Sequence, residues 1–147
     1  AIRGYREANI IGTLKHYPGH GDTEVDTHDS LAMIHKSMEE LQQNELVPFF
    51  KINADAIMTA HIVVPAFDPD TCATLSKKTL EYLREEIGFK GVIITDSLVM
   101  EGVLKKCGTP DEAAIQALNA GCDLLLLGGK LLSGEKSGFE LRVEDVK

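Results

Sequence analysis

The chain has 147 residues, 44% of them hydrophobic and 26% charged, which is enough apolar material for one domain with a core of its own. Its formal net charge of -8 argues against nucleic acid or an anionic membrane surface as the main partner. No apolar run approaches the roughly 20 residues that span a bilayer, and Cys72, Cys107 and Cys122, an odd set without CxxC spacing, read as reduced thiols in a cytoplasmic setting rather than a disulfide framework.

The chain opens on AIRGYREANI, with no secretory signal and no initiator Met, which points to a segment upstream. The first apolar run, IIGTL at 10–14, reads as a strand. Residues 37–50, SMEELQQNELVPFF, place Met38, Leu41, Leu46 and Phe49 at helical spacing, with Pro48 counting against a regular helix at the far end. AIMTA at 56–60 is the second strand. Residues 76–87 form the next helix, with Ser76 as N-cap, Leu80, Leu83 and Ile87 on one face, and Gly88 as the stop. GVIIT at 91–95 is the third strand. Residues 111–120, DEAAIQALNA, carry acids in the first turn and end at Gly121, as a helix should. CDLLLLG at 122–128 is the fourth strand, and LLSGEKSGFELRVEDVK reads as a loop leading to a frayed helix. Strands that are apolar without alternation are buried on both faces, and their alternation with helices predicts an α/β fold with a parallel sheet.

Polar residues gather just after these runs: Lys15 and His16, then His61, then Asp96, then Gly128 and Gly129. The starts of the runs carry no such cluster. Parallel α/β proteins bind ligands at the carboxyl ends of their strands, so the asymmetry marks a site there, in either a β/α barrel or a doubly wound sheet. The first strand-to-helix loop, about twenty residues long, is a candidate lid.

That loop holds KHYPGHGDTEVDTHDS, three histidines, three aspartates and a glutamate broken up by glycine and proline. His16, His20, Asp22, Asp26 and His28 are candidate metal ligands, although His16 and His20, four apart, flank Pro18 and Gly19 rather than sharing a helix face, and there is no HxH pair at a strand end. An acid/base reading competes with it. In an extended segment Asp26 and His28 point to the same side, so the carboxylate would hold one ring nitrogen and raise the basicity of the other. Such a histidine titrates near neutral pH and serves as general acid and base. Asp96 ends a strongly apolar strand, where it either caps the following turn or projects into a site as nucleophile or ligand. Lys15 and His16 are placed to donate to a polyhydroxyl ligand. His61 is a further candidate substrate contact, its other reading being support behind the site. Asp68 and Asp70, in AFDPDT, read as turn residues. The PGHG stretch lacks GxGxxG and no helix follows it directly, so it is weak as a phosphate cradle.

Three stretches carry a resemblance. KHYPGHGDTEVDTH is similar, over fourteen positions, to the KHFPGHGDTxxDSH signature of family 3 glycoside hydrolases, in particular the β-N-acetylglucosaminidases of the NagZ type. It departs from that signature at Tyr17 and Thr27. GFKGVIITDSLVMEGV resembles the segment with that family's catalytic aspartate, and ADAIMTAHIVVPAFDP resembles the strand between them. The resemblance implies a TIM-type (β/α)8 barrel and a retaining exo-β-N-acetylglucosaminidase acting on peptidoglycan-derived glycosides. Asp96 would be the nucleophile, His28 the acid/base, Asp26 its partner, and Lys15 and His16 contacts to the sugar hydroxyls. No metal or organic cofactor is called for. A neutral histidine repels an incoming anion less than a carboxylate does, so a β-N-acetylglucosaminide phosphorylase stands as the near alternative. A metal-dependent hydrolase and an inactive half-barrel module are the distant ones.

A full barrel has eight strands and about 250 residues. The four strands read here would be its fifth to eighth, making residues 1–147 a partial catalytic domain of a larger hydrolase. Half a barrel leaves two open sheet edges and an uncovered apolar face. The expectation is that the first half completes the protein, and that the chain by itself self-associates or is inactive.

Overall fold

The computed structural model describes residues 1–21 and 31–128. Asp22, Asp26, His28, Gly129 and the C-terminal stretch 131–147 lie outside the described residues.

After a short helix α1 (Ile2–Glu7), the main sheet is built from β1 (Thr13–Tyr17), β3 (Ala56–Thr59), β5 (Val92–Ser97) and β6 (Leu124–Leu126). All three pairings are parallel, and the strands stand side by side in chain order, β1-β3-β5-β6. A doubly wound sheet reverses its strand order at a switch point; this one steps one way only, as a (β/α)8 barrel does. The sheet is thus part of a TIM-type barrel. A second pair of two-residue strands, β2 (Ala32–Met33) and β4 (Ile62–Val63), also runs parallel. These strands are too short to leave any periodicity in the sequence.

The helical layer follows its caps. Ser37 and Glu40 form a capping box for α2 (Met38–Gln43). The segment expected as one helix over 37–50 then breaks at Asn44, and α3 (Val47–Lys51) restarts with Pro48 in its first turn, where a missing N–H costs nothing. Ser76 caps α4 (Lys77–Glu85) by accepting from the Thr79 N–H at 3.2 Å. Thr109 and Glu112 box the start of α6 (Pro110–Ala120), and Gly121, at φ 118°, closes it in the left-handed region that suits glycine. Each such cap contributes about 1 kcal/mol. Between β5 and α6 lies a helix the sequence reading did not anticipate, α5 (Glu101–Cys107), short and with Gly102 in its interior.

Ile57 and Ile93 leave the sheet toward these helices and pack with Leu80, Leu83, Val103 and Ala117 in one core. The opposite face is open: Val92 is 41% and Leu124 49% exposed, with Leu126 beside them. In a closed barrel this face is the interior. The three cysteines are free and buried, and burial pushes the thiols of Cys72 and Cys122 up to about 11 and about 12, which makes them poor nucleophiles.

Two expectations need correction. β1 begins at Thr13 rather than Ile10, and Ile10 and Ile11 are exposed, the latter by 78%. Hydrogen bonding overrides the apolar run here: Asp55 accepts from the Gly12 N–H at 3.2 Å and from Arg6 at 2.9 Å, and Thr13 pairs with Ala56. Lys15 and His16 therefore lie within the strand, not after it. The strand starts, expected to lack polar clusters, carry two. Besides Arg6 and Asp55, Asp123 accepts from Arg84 at 2.5 Å and from the Ile93 N–H at 2.8 Å. Each cluster ties the starts of two strands to a nearby helix.

Gly91 enters β5 where the chain passes closest to β3. A Cβ there would stand 2.3 Å from the Asp55 carbonyl oxygen, the acceptor of the Val92 N–H, and 2.6 Å from the Phe89 ring. Because the nearest atom is backbone, it cannot swing away, and Gly91→Ala should cost about 3 kcal/mol, read as a lowered urea midpoint at unchanged slope.

Candidate active site

Asp96 leaves β5 on the open face, in alternation with Val92 and Ile94, one residue before the strand ends. The β5–β6 register shifts between Ile94 and Ser97, and side chains fill the gap: Thr95 Oγ1 accepts from the Leu126 N–H at 2.9 Å, and Ser97 Oγ donates to the Gly128 carbonyl at 2.8 Å. The Asp96 carboxylate is thus offered at an irregular strand end rather than from a regular ladder. Its Oδ1 accepts from the Ser97 N–H at 2.7 Å, and its Oδ2 lies 3.6 Å from His16 Nε2. Both side chains keep about a quarter of their surface exposed, so a ligand could reach them.

His16 comes from the shifted register between Lys15 and Tyr17 in β1. Its pKa is lowered, chiefly by burial, with Lys15 and His20 adding to the effect and Asp96 opposing it. The imidazole is therefore neutral near pH 7, and its contact with Asp96 is a polar approach rather than an ion pair. The His20 ring stands edge-on at 5.8 Å. A cleft of about 670 Å³ runs beside β1, lined by Lys15, His16, His20, Asn44 and Glu45 among others, while Asp96 is not in its wall. Glu45, a residue the sequence reading took only as part of a helix, has Oε1 on Lys36 at 2.5 Å and a buried Oε2 without a hydrogen-bond partner.

Tyr17, where the signature has Phe, is fully buried, T-stacked on Phe49 at 5.1 Å, and donates its hydroxyl to the Thr79 carbonyl at 3.1 Å. The added oxygen has a partner, so the departure does not disturb the strand end. Asp68 behaves as the turn residue expected, accepting from the Asp70 N–H at 3.1 Å and from Ser76 Oγ at 2.9 Å.

His61 departs from expectation as a substrate contact. It is 2% exposed, with Nδ1 2.9 Å from Thr74 Oγ1 and Nε2 2.9 Å from the Ser97 carbonyl. Both nitrogens are spent on the protein. Its partners Thr74 and Ser97, and Thr59 behind Thr74, carried no sequence signal, being ordinary strand and loop residues. The structure thus brings together Lys15, His16, His61 and Asp96; Asp26 and His28 lie outside the described residues. No group of three or more His, Cys, Asp or Glu among the described residues is arranged to hold a metal ion, nor is any described helix long and apolar enough to cross a membrane.

A one-way parallel β/α sheet on which Asp96 and His16 meet toward the carboxyl ends of their strands defines part of a barrel-type β/α fold. The glycosyl hydrolase family 3 N-terminal domain model matches residues 1–134, and the chain belongs to that family. It is 42% identical over 130 residues to a beta-hexosaminidase of Tolumonas auensis, covering 85% of this chain and 38% of that protein. Beta-hexosaminidase A of Pseudoalteromonas piscicida is 35% identical over 142 residues, 86% of this chain and 24% of that one. Among solved structures, a family 3 beta-N-acetylglucosaminidase from a Paenibacillus species superposes with a TM-score of 0.84 at 41% identity, over 88% of this chain and 26% of that one. NagZ from Neisseria gonorrhoeae, in complex with N-trifluoroacetyl-D-glucosamine, gives 0.75 at 36%, over 85% and 36%. The chain spans well under half the length of each of these relatives.

Proposed function

We propose that the protein carrying this chain is a retaining exo-β-N-acetylglucosaminidase acting on peptidoglycan-derived glycosides in the cytoplasm. The observation that carries the reading is Asp96, about a quarter exposed at the end of β5 and 3.6 Å from His16. Asp96 is the nucleophile: its Oδ2 attacks the anomeric carbon, the glycosidic oxygen leaves with a proton from His28, and a covalent glycosyl ester forms. Water, deprotonated by the now neutral His28, then breaks the ester with the first configuration restored. Asp26 orients His28, and Lys15 and His16 donate to sugar hydroxyls.

Support for the loop's part comes from its two described ends. Residues before it place His20 against His16, and residues after it form β2, whose Ala32 pairs with Ile62, next to His61. Both tethers therefore lie within a few residues of the strand ends that carry Asp96. The open sheet face fits a barrel completed by further strands of the same protein, which would supply the remaining sugar contacts.

Incubating the intact protein with an aryl N-acetyl-β-glucosaminide, with and without phosphate, tests this. The expected result is release of β-configured N-acetylglucosamine as first product, seen by proton NMR, at a rate independent of phosphate. Phosphate-dependent formation of the sugar 1-phosphate would make it a phosphorylase, and dependence on added zinc after chelation would favour metal chemistry.

A further inference from the structure

The β3–β5 ladder ends in register at Met58–Ile94, yet the catalytic end of β5 runs on to Ser97. Beyond the ladder the link from the β3 side is a side chain: His61, just past β3, donates from Nε2 to the Ser97 carbonyl at 2.9 Å. Behind it stand Thr74 Oγ1, 2.9 Å from Nδ1, and Thr59 Oγ1, 2.8 Å from Thr74 Oγ1, all three residues essentially inaccessible. We propose that His61 is a positioning residue for Asp96, its bond to the Ser97 carbonyl setting where the end of β5 holds the nucleophile. This rests on the glycosidase reading above and deepens it.

The protons can be placed. A carbonyl only accepts, so Nε2 carries a hydrogen. Burial is the largest influence on His61 and lowers its pKa, so the ring is neutral and Nδ1 is a lone-pair acceptor. Thr74 must then give its single hydroxyl proton to Nδ1. The Ala60 carbonyl, 3.0 Å from the same hydroxyl, is served by the Thr74 N–H at 3.2 Å instead. Thr59 donates to Thr74. The chain Thr59→Thr74→His61→Ser97 carbonyl thus runs in one direction and locks the tautomer. The Ser97 N–H, on the same residue, holds Asp96 Oδ1 at 2.7 Å, so displacing Ser97 displaces the carboxylate.

The test compares His61→Phe, His61→Asn and His61→Gln in the intact protein. The glutamine amide reaches where Nε2 stands, the asparagine amide only where Nδ1 stands, and phenylalanine keeps the bulk alone. We expect kcat/KM for an aryl N-acetylglucosaminide to fall about 30- to 100-fold in the Phe and Asn variants, the size of loss a shift of about 1 Å produces, and to return most of the way with Gln. Inhibition by free N-acetylglucosamine should stay within about twofold throughout, because uniform binding is untouched. Unchanged kcat/KM per folded molecule in the Phe variant, or recovery with Asn but not Gln, would overturn the proposal. Imidazole ¹⁵N spectra of the unmutated protein need no variant to fold: the Nε2–H tautomer supports the relay, and Nδ1–H sinks it. Should the parent show no turnover, the glycosidase reading fails separately. The carboxyl ¹³C resonance of Asp96 then decides, moving in the Phe and Asn variants but not in Gln if His61 positions it, and staying put in all three if it does not.

Discussion

Replacing Asp96 by alanine is expected to abolish turnover, with a loss on the order of 10⁴-fold or more, as for other nucleophiles that act as part of a unit. The reason is that, on the mechanism proposed, the covalent step runs through this carboxylate. Folding should be little changed, because the side chain's contacts are one hydrogen bond to the adjacent N–H and a 3.6 Å approach to His16. Two measurements check this. Urea unfolding should match the parent within about 0.5 kcal/mol, as for a surface substitution. Azide should restore part of the rate with an activated aryl substrate, yielding the α-glycosyl azide, because a small anion fits the space the carboxylate leaves and attacks from the same face. Full activity in the alanine variant, or a β-glycosyl azide, would remove Asp96 from the nucleophile's role.

The second large effect concerns the proton. With His28→Ala, kcat/KM for an unactivated disaccharide should fall about 10²- to 10⁴-fold, the usual worth of a general acid. For a dinitrophenyl glycoside, whose leaving group departs as an anion, kcat/KM should change little. Turnover of that substrate should still fall, since hydrolysis of the glycosyl ester lacks its base, and the ester should accumulate. Asp26→Ala should show the same pattern in milder form, because it acts through His28 rather than on the substrate. Equal losses on both substrates would place His28 in binding rather than in proton transfer. A histidine acid here also predicts that the basic limb of the kcat/KM profile falls near neutrality, well above where a carboxylic acid of ordinary pKa, about 4.3, would put it.

How much of this was legible in the residues varies with the range of the forces involved. Helix ends were readable because caps are local: Ser76 and Gly121 act on N–H and C=O groups within a turn, and both stand where expected. The start of β1 was not, because Ile10 and Ile11 look like a strand and only the Arg6–Asp55–Gly12 linkage, formed across 40-odd residues, moves the strand to Thr13. The same shift turned Lys15 and His16 from loop residues into strand residues. At the site, Asp96 was marked by its place at the end of an apolar run. His61 carried the same mark, and there the mark misled, since a strand-end histidine looks alike from the sequence whether it faces the ligand or the core.

The sequence by itself determined the class of fold, the family and the chemically capable side chains, because apolar periodicity, capping residues and a fourteen-residue signature are properties of neighbours along the chain. Only the tertiary structure decided which of those side chains meet. It set Asp96 beside His16 from a strand two places away in the sheet, and it put His61 behind them with both nitrogens engaged. It also left one apolar sheet face open. Parallel strands pair across long stretches of chain, so their register, and with it the direction each strand-end residue faces, is fixed by partners that no local pattern can report.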